Sequence, residues 1–388
     1  MMEKTHLWPQ EIAESDGVVT ASVIIEHPKH GSKRLWYRVP VEHKSTLTKG
    51  CNPFVLGTIF KAMRESTDLI VHGEVSPSLL RNLEEFQAAW ACWRPERYAK
   101  IEIIADTERE PQRNSNSDKT IVAFSGGVDS VFTVWRHRTG RCGRLKRDLQ
   151  AGLMVHGFDI PLDQRDVFNR AAEKSAKMLT SQNMKLISLA TNFKNLGDDW
   201  EDAFAAATAS CLMMLEGGYS VGLFGSSEPY HSLVLPWGSN PVTDGMLSSD
   251  TFQIIHDGAA FTRNEKVREI ANWPEALQYL RVCWQGAQKD RNCGYCEKCI
   301  RTILNFRVMG VDLPQCFEQD VSDSQIVRIS RLNAAQIAEY TQILSAAKTA
   351  SISKSWVKAV DMCLRLNRLR LKARQIPVMR WLYQFAIR

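Results

Sequence analysis

The sequence has no apolar run long enough to span a bilayer. The longest nearly apolar stretch, Phe204 to Leu215, covers 12 residues, against the roughly 20 that a spanning helix needs. The opening residues Met1-Met2-Glu3-Lys4-Thr5-His6 also lack the charged-then-apolar layout of a secretory signal, so a cytoplasmic chain with no membrane partner is expected. In that compartment the ten cysteines stay reduced, and a cluster among them reads as a metal or redox site before it reads as disulfides. No internal repeat occurs at solenoid or propeller periods. Neither G-x-x-x-x-G-K-[ST] nor G-x-G-x-x-G is present, which argues against a P-loop NTPase and a Rossmann-type dinucleotide fold. Compositional bias is missing too: 44% hydrophobic and 24% charged residues exclude a disordered or collagenous chain. Acid is scarce in one place only. Residues 351–388 carry nine Lys and Arg against the single Asp361, so the net charge of +6 belongs to this tail.

At 388 residues the chain is long enough for two or three domains, and its pattern divides into three. Over residues 1–118, two alternating stretches flank His27 to Ser32 as a β-hairpin, helical periodicity follows at Pro53–Arg64 and Ser78–Trp93, and short strands lie near Leu69–His72 and Lys100–Ala105. This is a small α+β domain. A polar, turn-rich linker follows, from Asp106 to Lys119. Residues 119–316 then alternate strand and helix. Strands are expected at Thr120–Phe124, Ala151–Phe158, Lys185–Ala190 and Ser220–Phe224, with helices at Ser130–His137, Arg165–Leu179 and Trp200–Leu215. The strands are short apolar runs rather than two-faced alternations, as in a doubly wound α/β fold whose parallel sheet is buried on both faces. Residues 317–388 read as a helical extension, with helices at Ser322–Ser345 and Ser355–Leu371. The second is basic and amphipathic, with Trp356, Ala359, Met362, Cys363, Leu366 and Leu369 at helical spacing. It either packs on the core or touches nucleic acid. Trp381, Tyr383 and Phe385 suggest that the last residues dock.

Two motifs carry chemistry. Ile121-Val122-Ala123-Phe124 runs through Ser125-Gly126-Gly127-Val128-Asp129-Ser130, a buried strand turning directly into a helix. The glycines allow a tight turn and close backbone approach, and the helix start offers N–H groups and a positive dipole end, the makings of a phosphate site. Ser125 and Ser130 add hydroxyls; Asp129 either caps the helix or holds a polyphosphate through Mg²⁺. The second motif is Cys283-x9-Cys293-x2-Cys296-x2-Cys299. The tight C-x2-C turns gather thiolates around one ion, and Cys283 closes a tetrahedral shell, which reads as structural Zn²⁺. An iron–sulfur cluster with Cys316 as a further ligand is the other reading. Two further segments fall where ligands sit at the carboxyl edge of an open α/β sheet: Ser226, Glu228 and Tyr230 after the fourth strand, and His156 with Asp159 where the second strand closes. An ordinary turn and a structural histidine are the competing readings.

At Ser125–Ser130 the sequence resembles the PP-loop ATP pyrophosphatase superfamily, which carries this Ser-Gly-Gly-x-Asp-Ser signature. The resemblance implies a sheet of strand order 3-2-1-4-5, ATP bound on this loop, and cleavage to AMP and pyrophosphate through adenylation. The cysteine run about 150 residues later, followed by Ile300-Arg301, is similar to the zinc loop of the 7-cyano-7-deazaguanine synthases within that superfamily. That likeness covers residues 119–312 and implies 7-carboxy-7-deazaguanine as substrate and ammonia as acceptor, with Ser226, Glu228 and Tyr230 beside the base. Phe261-Thr262-Arg263-Asn264-Glu265-Lys266 sits where the synthases carry Leu-Ser-Lys-x-Glu near the phosphates, so Arg263, or Lys266 in reserve, is expected to neutralise pyrophosphate. The long flanking segments resemble extended synthase-like components of bacterial anti-phage defence operons, which implies partner proteins, one of them supplying an amine acceptor. Two alternatives stay open: a tRNA-modifying PP-loop thiolase or ligase that uses the basic tail, and a silent nucleotide-binding scaffold.

Overall fold

The computed structural model describes residues 3–112 and 119–375, the last four as backbone only. The linker residues 113–118 and the aromatic end with Trp381, Tyr383 and Phe385 lie outside the described residues. No helix among the described residues is long and apolar enough to cross a membrane. The chain forms two compact units, residues 1–227 with 234–259 and residues 228–233 with 260–388.

The first unit is an α/β structure built on one mixed, mostly parallel eleven-stranded sheet. In chain order its elements are β1 (Lys4–Pro9), β2 (Ala13–Ser15), β3 (Val18–His27), β4 (Gly31–Pro40), α1 (Asn52–Glu65), β5 (Asp68–Val75), α2 (Pro77–Trp93), β6 (Ile103–Glu108), β7 (Lys119–Ala123), α3 (Val128–Arg138), β8 (Asp148–His156), α4 (Arg165–Ser181), β9 (Lys185–Thr191), α5 (Trp200–Met213), β10 (Val221–Gly225) and β11 (Gln253–Asp257). The strands lie in the order β11-β10-β7-β8-β9-β4-β3-β1-β5-β6, with β2 paired to β3. From β11 to β9 every pairing is parallel.

The hairpin of β3 and β4 forms where the alternation places it. However, β4 does not stay within a separate N-terminal domain: it pairs antiparallel with β9, Tyr37 opposite Thr191 and Arg38 opposite Ala190. Residues 3–112 and the following α/β segment therefore share one sheet and one core. Val19, Val23, Leu35, Tyr37 and Val39 point into that core, where α1 packs on α5. Gly57 of α1 permits this contact, because an added Cβ would lie 2.5 Å from Tyr37 Oη and 2.9 Å from Leu35 Cδ2. The alanine-rich α5 is buried almost all round after its acidic first turn, which matches its apolar run from Ala203 onward.

The helices α3 and α4 lie on one face of the parallel strands and α5 on the other, as right-handed connections require in this strand order. Two glycines of β10 record this. A Cβ on Gly222 would meet Leu212 of α5, whereas one on Gly225 would meet the backbone of Asp129 and Ser130 at the start of α3.

The second unit is helical: α6 (Arg263–Ile270), α7 (Pro274–Tyr279), α8 (Glu297–Val308), α9 (Asp323–Arg328), α10 (Ala334–Thr349) and α11 (Ser355–Gln375). The helix expected over Ser322–Ser345 is two helices. Arg331 takes a left-handed φ of 63°, and Asn333 then opens α10 with a capping box to Gln336, so the chain restarts instead of continuing. The buried stripe of α11 is Trp356, Ala359, Val360, Cys363 and Leu364, while Met362 and Leu369 are exposed. Asn367 fixes that rotation. Its side chain donates to the Ile329 carbonyl at 2.9 Å and accepts from the Leu332 N–H at 3.3 Å, filling groups left open where α9 ends.

Candidate functional site

The Ser-Gly-Gly-Val-Asp-Ser string lies at the carboxyl end of β7, between its neighbours β10 and β8. The strand stays hydrogen-bonded one residue past its end, the Phe124 N–H donating to the Leu153 carbonyl at 2.8 Å. The chain then turns. Gly126 has φ +75°, a left-handed conformation that side chains resist. Gly127 takes the N-cap position of α3, and no side chain caps the helix there; a helix start presents backbone N–H groups and the positive end of the dipole. Ser125 is exposed and Asp129 half-buried. The Ser130 hydroxyl donates back to the Gly127 carbonyl at 3.1 Å, and the Gly127 N–H reaches Ser125 Oγ at 3.3 Å. The six residues thus form one compact turn with an uncapped helix start.

A buried tether, unforeseen from the sequence, fixes α3 against the sheet. Asp257 ends β11, opposite Gly225, and its carboxylate accepts from Thr133 Oγ1 at 3.0 Å and from His137 Nε2 at 3.2 Å, with Arg136 Nη1 at 3.5 Å. The His137 tautomer follows from its surroundings: Nδ1 accepts from the Arg147 N–H at 3.0 Å, so Nε2 carries the proton. Burial pushes the Asp257 carboxyl up, but the His137 hydrogen bond and the Arg136 charge outweigh it and hold the carboxyl below its usual range. Ser226, also buried, donates its N–H to the Asp257 carbonyl at 2.8 Å. On the opposite face of β11, His256 Nδ1 lies 2.7 Å from the fully buried Asp244 carboxylate, which also accepts from Ser239 Oγ at 2.7 Å. No spacing signal links these residues, because β11 itself escapes a pattern reading.

His156 is the last residue of β8. Its Nε2 lies 2.8 Å from the Pro161 carbonyl and its ring stacks on Phe168. Since a carbonyl only accepts, Nε2 carries the proton, and burial lowers the ring's pKa. Asp159 follows in the turn after β8. The remaining expected ligands belong to the second unit. Glu228 and Tyr230 lie in its residues 228–233, Tyr230 exposed within a short 3-10 turn. Arg263 and Lys266 sit in the first turn of α6, both buried, and Arg263 Nε lies 4.0 Å from a Glu339 carboxylate oxygen.

The four cysteines come together. The sulfur atoms of Cys283, Cys293, Cys296 and Cys299 all lie within 4.8 Å of one another, with Cys283 to Cys296 at 3.9 Å and Cys293 to Cys299 at 3.8 Å. A tetrahedral Zn²⁺ with bonds of about 2.3 Å requires edges of about 3.8 Å, so the set could hold zinc. Cys316, the extra ligand of the iron–sulfur reading, is not in this group. Asn292 holds the loop closed. Its Oδ1 accepts from the N–H groups of Val282 and Cys283 at 2.8 and 3.2 Å, and its Nδ2 donates to the carbonyls of Leu280 and Cys316 at 2.8 and 3.0 Å. Hydrogen bonding from the neighbouring thiols, Cys299 first, lowers Cys296, while the same hydrogen bond raises Cys299 and burial raises Cys293. Gly294 makes the turn between Cys293 and Cys296 with φ +75°.

No protein-family model, curated protein or solved structure matches the chain.

Proposed function

We propose that the protein splits ATP to AMP and pyrophosphate in order to activate a carboxylate, that of 7-carboxy-7-deazaguanine or a related deazapurine. The observation that carries this reading is the β7–α3 junction, where Gly126 turns left-handed and α3 begins without a side-chain cap. The strand order β9-β8-β7-β10-β11, 3-2-1-4-5 by position along the chain, supports it.

In this reading a substrate carboxylate oxygen attacks the α-phosphorus, the bond to the β-phosphate breaks, and pyrophosphate leaves with its added charge. The N–H groups opening α3 and the Ser125 hydroxyl receive that charge on rigid elements, and Ser130 joins them when its hydroxyl turns away from the Gly127 carbonyl. Asp129 is the residue that would hold Mg²⁺, and a divalent cation there would offset the polyphosphate charge. Ammonia, or an amine of a partner protein, then attacks the acyl carbon and displaces AMP to leave an amide; a second ATP-driven cycle would dehydrate a primary amide to a nitrile. Cys283, Cys293, Cys296 and Cys299 would hold zinc in an all-thiolate shell, and zinc bound there would brace the loop and leave no position for substrate.

Mass spectrometry of the protein with Mg-ATP and 7-carboxy-7-deazaguanine, with and without ammonium, tests the proposal. AMP that appears only with the deazapurine, and that is lost in Asp129→Ala with folding intact, is the expected result; AMP formation that survives Asp129→Ala refutes the site. A nucleic-acid-modifying enzyme is the second reading, favoured by the exposed Lys358, Arg365, Arg368 and Arg370 on α11. Salt-sensitive tRNA retention that disappears in Arg365→Glu/Arg370→Glu would replace the first reading with this one.

A further inference from the structure

A cavity of about 670 Å³ opens in the first unit where β4 meets β9, lined by Trp36, Arg38, His156, Arg165, Phe168 and Asn169 among others. It lies at the carboxyl ends of β8 and β9, since His156 closes β8 and Arg38 pairs with Ala190 near the end of β9. That edge is where open α/β sheets take ligands. One wall is the β3–β4 hairpin and the other is the first turn of α4. Residues 125–130 do not line it, so it is separate from the phosphate loop.

Three features define what could fill it. Its size falls within the range of small-molecule sites, about 300–1,000 Å³. Two guanidinium groups line it, and neither is ion-paired among the described residues: Arg38 lies over the Trp36 ring at 4.2 Å from its centroid, and Arg165 opens α4. Guanidinium forks match phosphate and carboxylate oxygens. The lining also includes aromatic rings, the Trp36 indole and the stacked His156–Phe168 pair at 4.5 Å. Asp16 is the one acid in the lining, which leaves the cavity with a net positive charge.

We propose that this cavity binds a mononucleotide, with its base against the aromatic rings and its phosphate between Arg38 and Arg165. The site is independent of ATP cleavage and does not need the activity proposed above. It also gives the N-terminal hairpin a purpose, since that hairpin supplies Trp36 and Arg38.

The test is fluorescence anisotropy of N-methylanthraniloyl-GMP titrated with the full chain and displaced by unlabelled GMP. Saturable binding is expected, weakened about tenfold or more by Arg38→Ala and by Arg165→Ala and unchanged by Asp129→Ala. Arg38→Lys keeps the charge without the fork and should fall between. Both arginines are exposed, so thermal melting of these variants should match the parent and separate lost binding from lost fold. The proposal is overturned by any of three results: binding indifferent to both arginines, binding lost in Asp129→Ala, which would assign the probe to the phosphate loop, or no saturation up to about 1 mM.

Discussion

Two glycines three residues apart on β10 provide a paired perturbation, because each faces a different kind of neighbour. A Cβ on Gly225 would sit 2.7 Å from the carbonyl carbon and oxygen of Asp129 and 3.0 Å from the Ser130 nitrogen. All three are backbone atoms, so no rotamer change relieves the contact. Ordinary contact begins at 3.4 Å, so the start of α3 must retreat by 3.4 − 2.7, or about 0.7 Å. Overpacking of this kind costs about 1–3 kcal/mol, and a displacement near 1 Å at a reacting centre costs on the order of 10²-fold in rate. A Cβ on Gly222 would instead meet the side-chain ends of Ile254 and Leu212 at 3.0 Å and Phe252 at 3.1 Å. Those groups can yield, and alanine recovers about 0.5–1 kcal/mol of backbone entropy. Gly222→Ala should therefore stay within about 1 kcal/mol of the parent in urea unfolding and keep its rate of AMP formation. Gly225→Ala should lose both stability and AMP formation. Equal urea midpoints for Gly225→Ala and the parent would refute the close approach of β10 to α3. Lost stability with AMP formation intact would remove the start of α3 from the chemistry.

Two further perturbations probe other links. Asn292→Ala strips four hydrogen bonds from the cysteine loop without touching a sulfur, so zinc affinity, read by competition with a chromogenic chelator, should fall about 10–100-fold; unchanged affinity would mean that the loop holds its shape without Asn292. Asp198, buried beside Arg64, has its carboxyl pushed up to about 6 from 3.8, chiefly by burial. A carboxyl whose folded pKa lies above its unfolded value takes up a proton on folding, so its contribution is fully present below about 4 and is lost as pH rises towards 6, by about 3 kcal/mol at most. Urea midpoints for Asp198→Asn measured between those pH values should show a flatter decline than the parent, and parallel declines would exclude this residue as the source.

What the sequence disclosed and what it withheld divide along a physical line. Local chemistry was legible: the β7–Ser-Gly-Gly–α3 turn needs its glycines in place, and C-x2-C-x2-C gathers sulfurs by local geometry alone. Alternation also disclosed which residues of β3 and β4 face inward, since Leu35, Tyr37 and Val39 repeat every second position. Alternation reports faces and is silent on edges. Nothing in Trp36 or Arg38 states that β4 will lie against β9, so the hairpin read as a separate domain although it completes the same sheet, and the cavity at that junction was invisible. β11 was hidden for a related reason. Its five residues follow a turn-rich stretch and end in His256-Asp257, polar residues that look like a loop until one sees that Asp257 is buried against α3 and His256 against Asp244. The polar groups that hold a site together are placed by partners far away in the chain, and a pattern reading, which weighs each residue against its near neighbours, assigns them to loops. The residues most exposed to that error here, Arg38 at the β4–β9 junction and Asp257 behind the Ser-Gly-Gly turn, are those that connect the two recognisable motifs of the first unit, its hairpin and that turn, to the sheet they share.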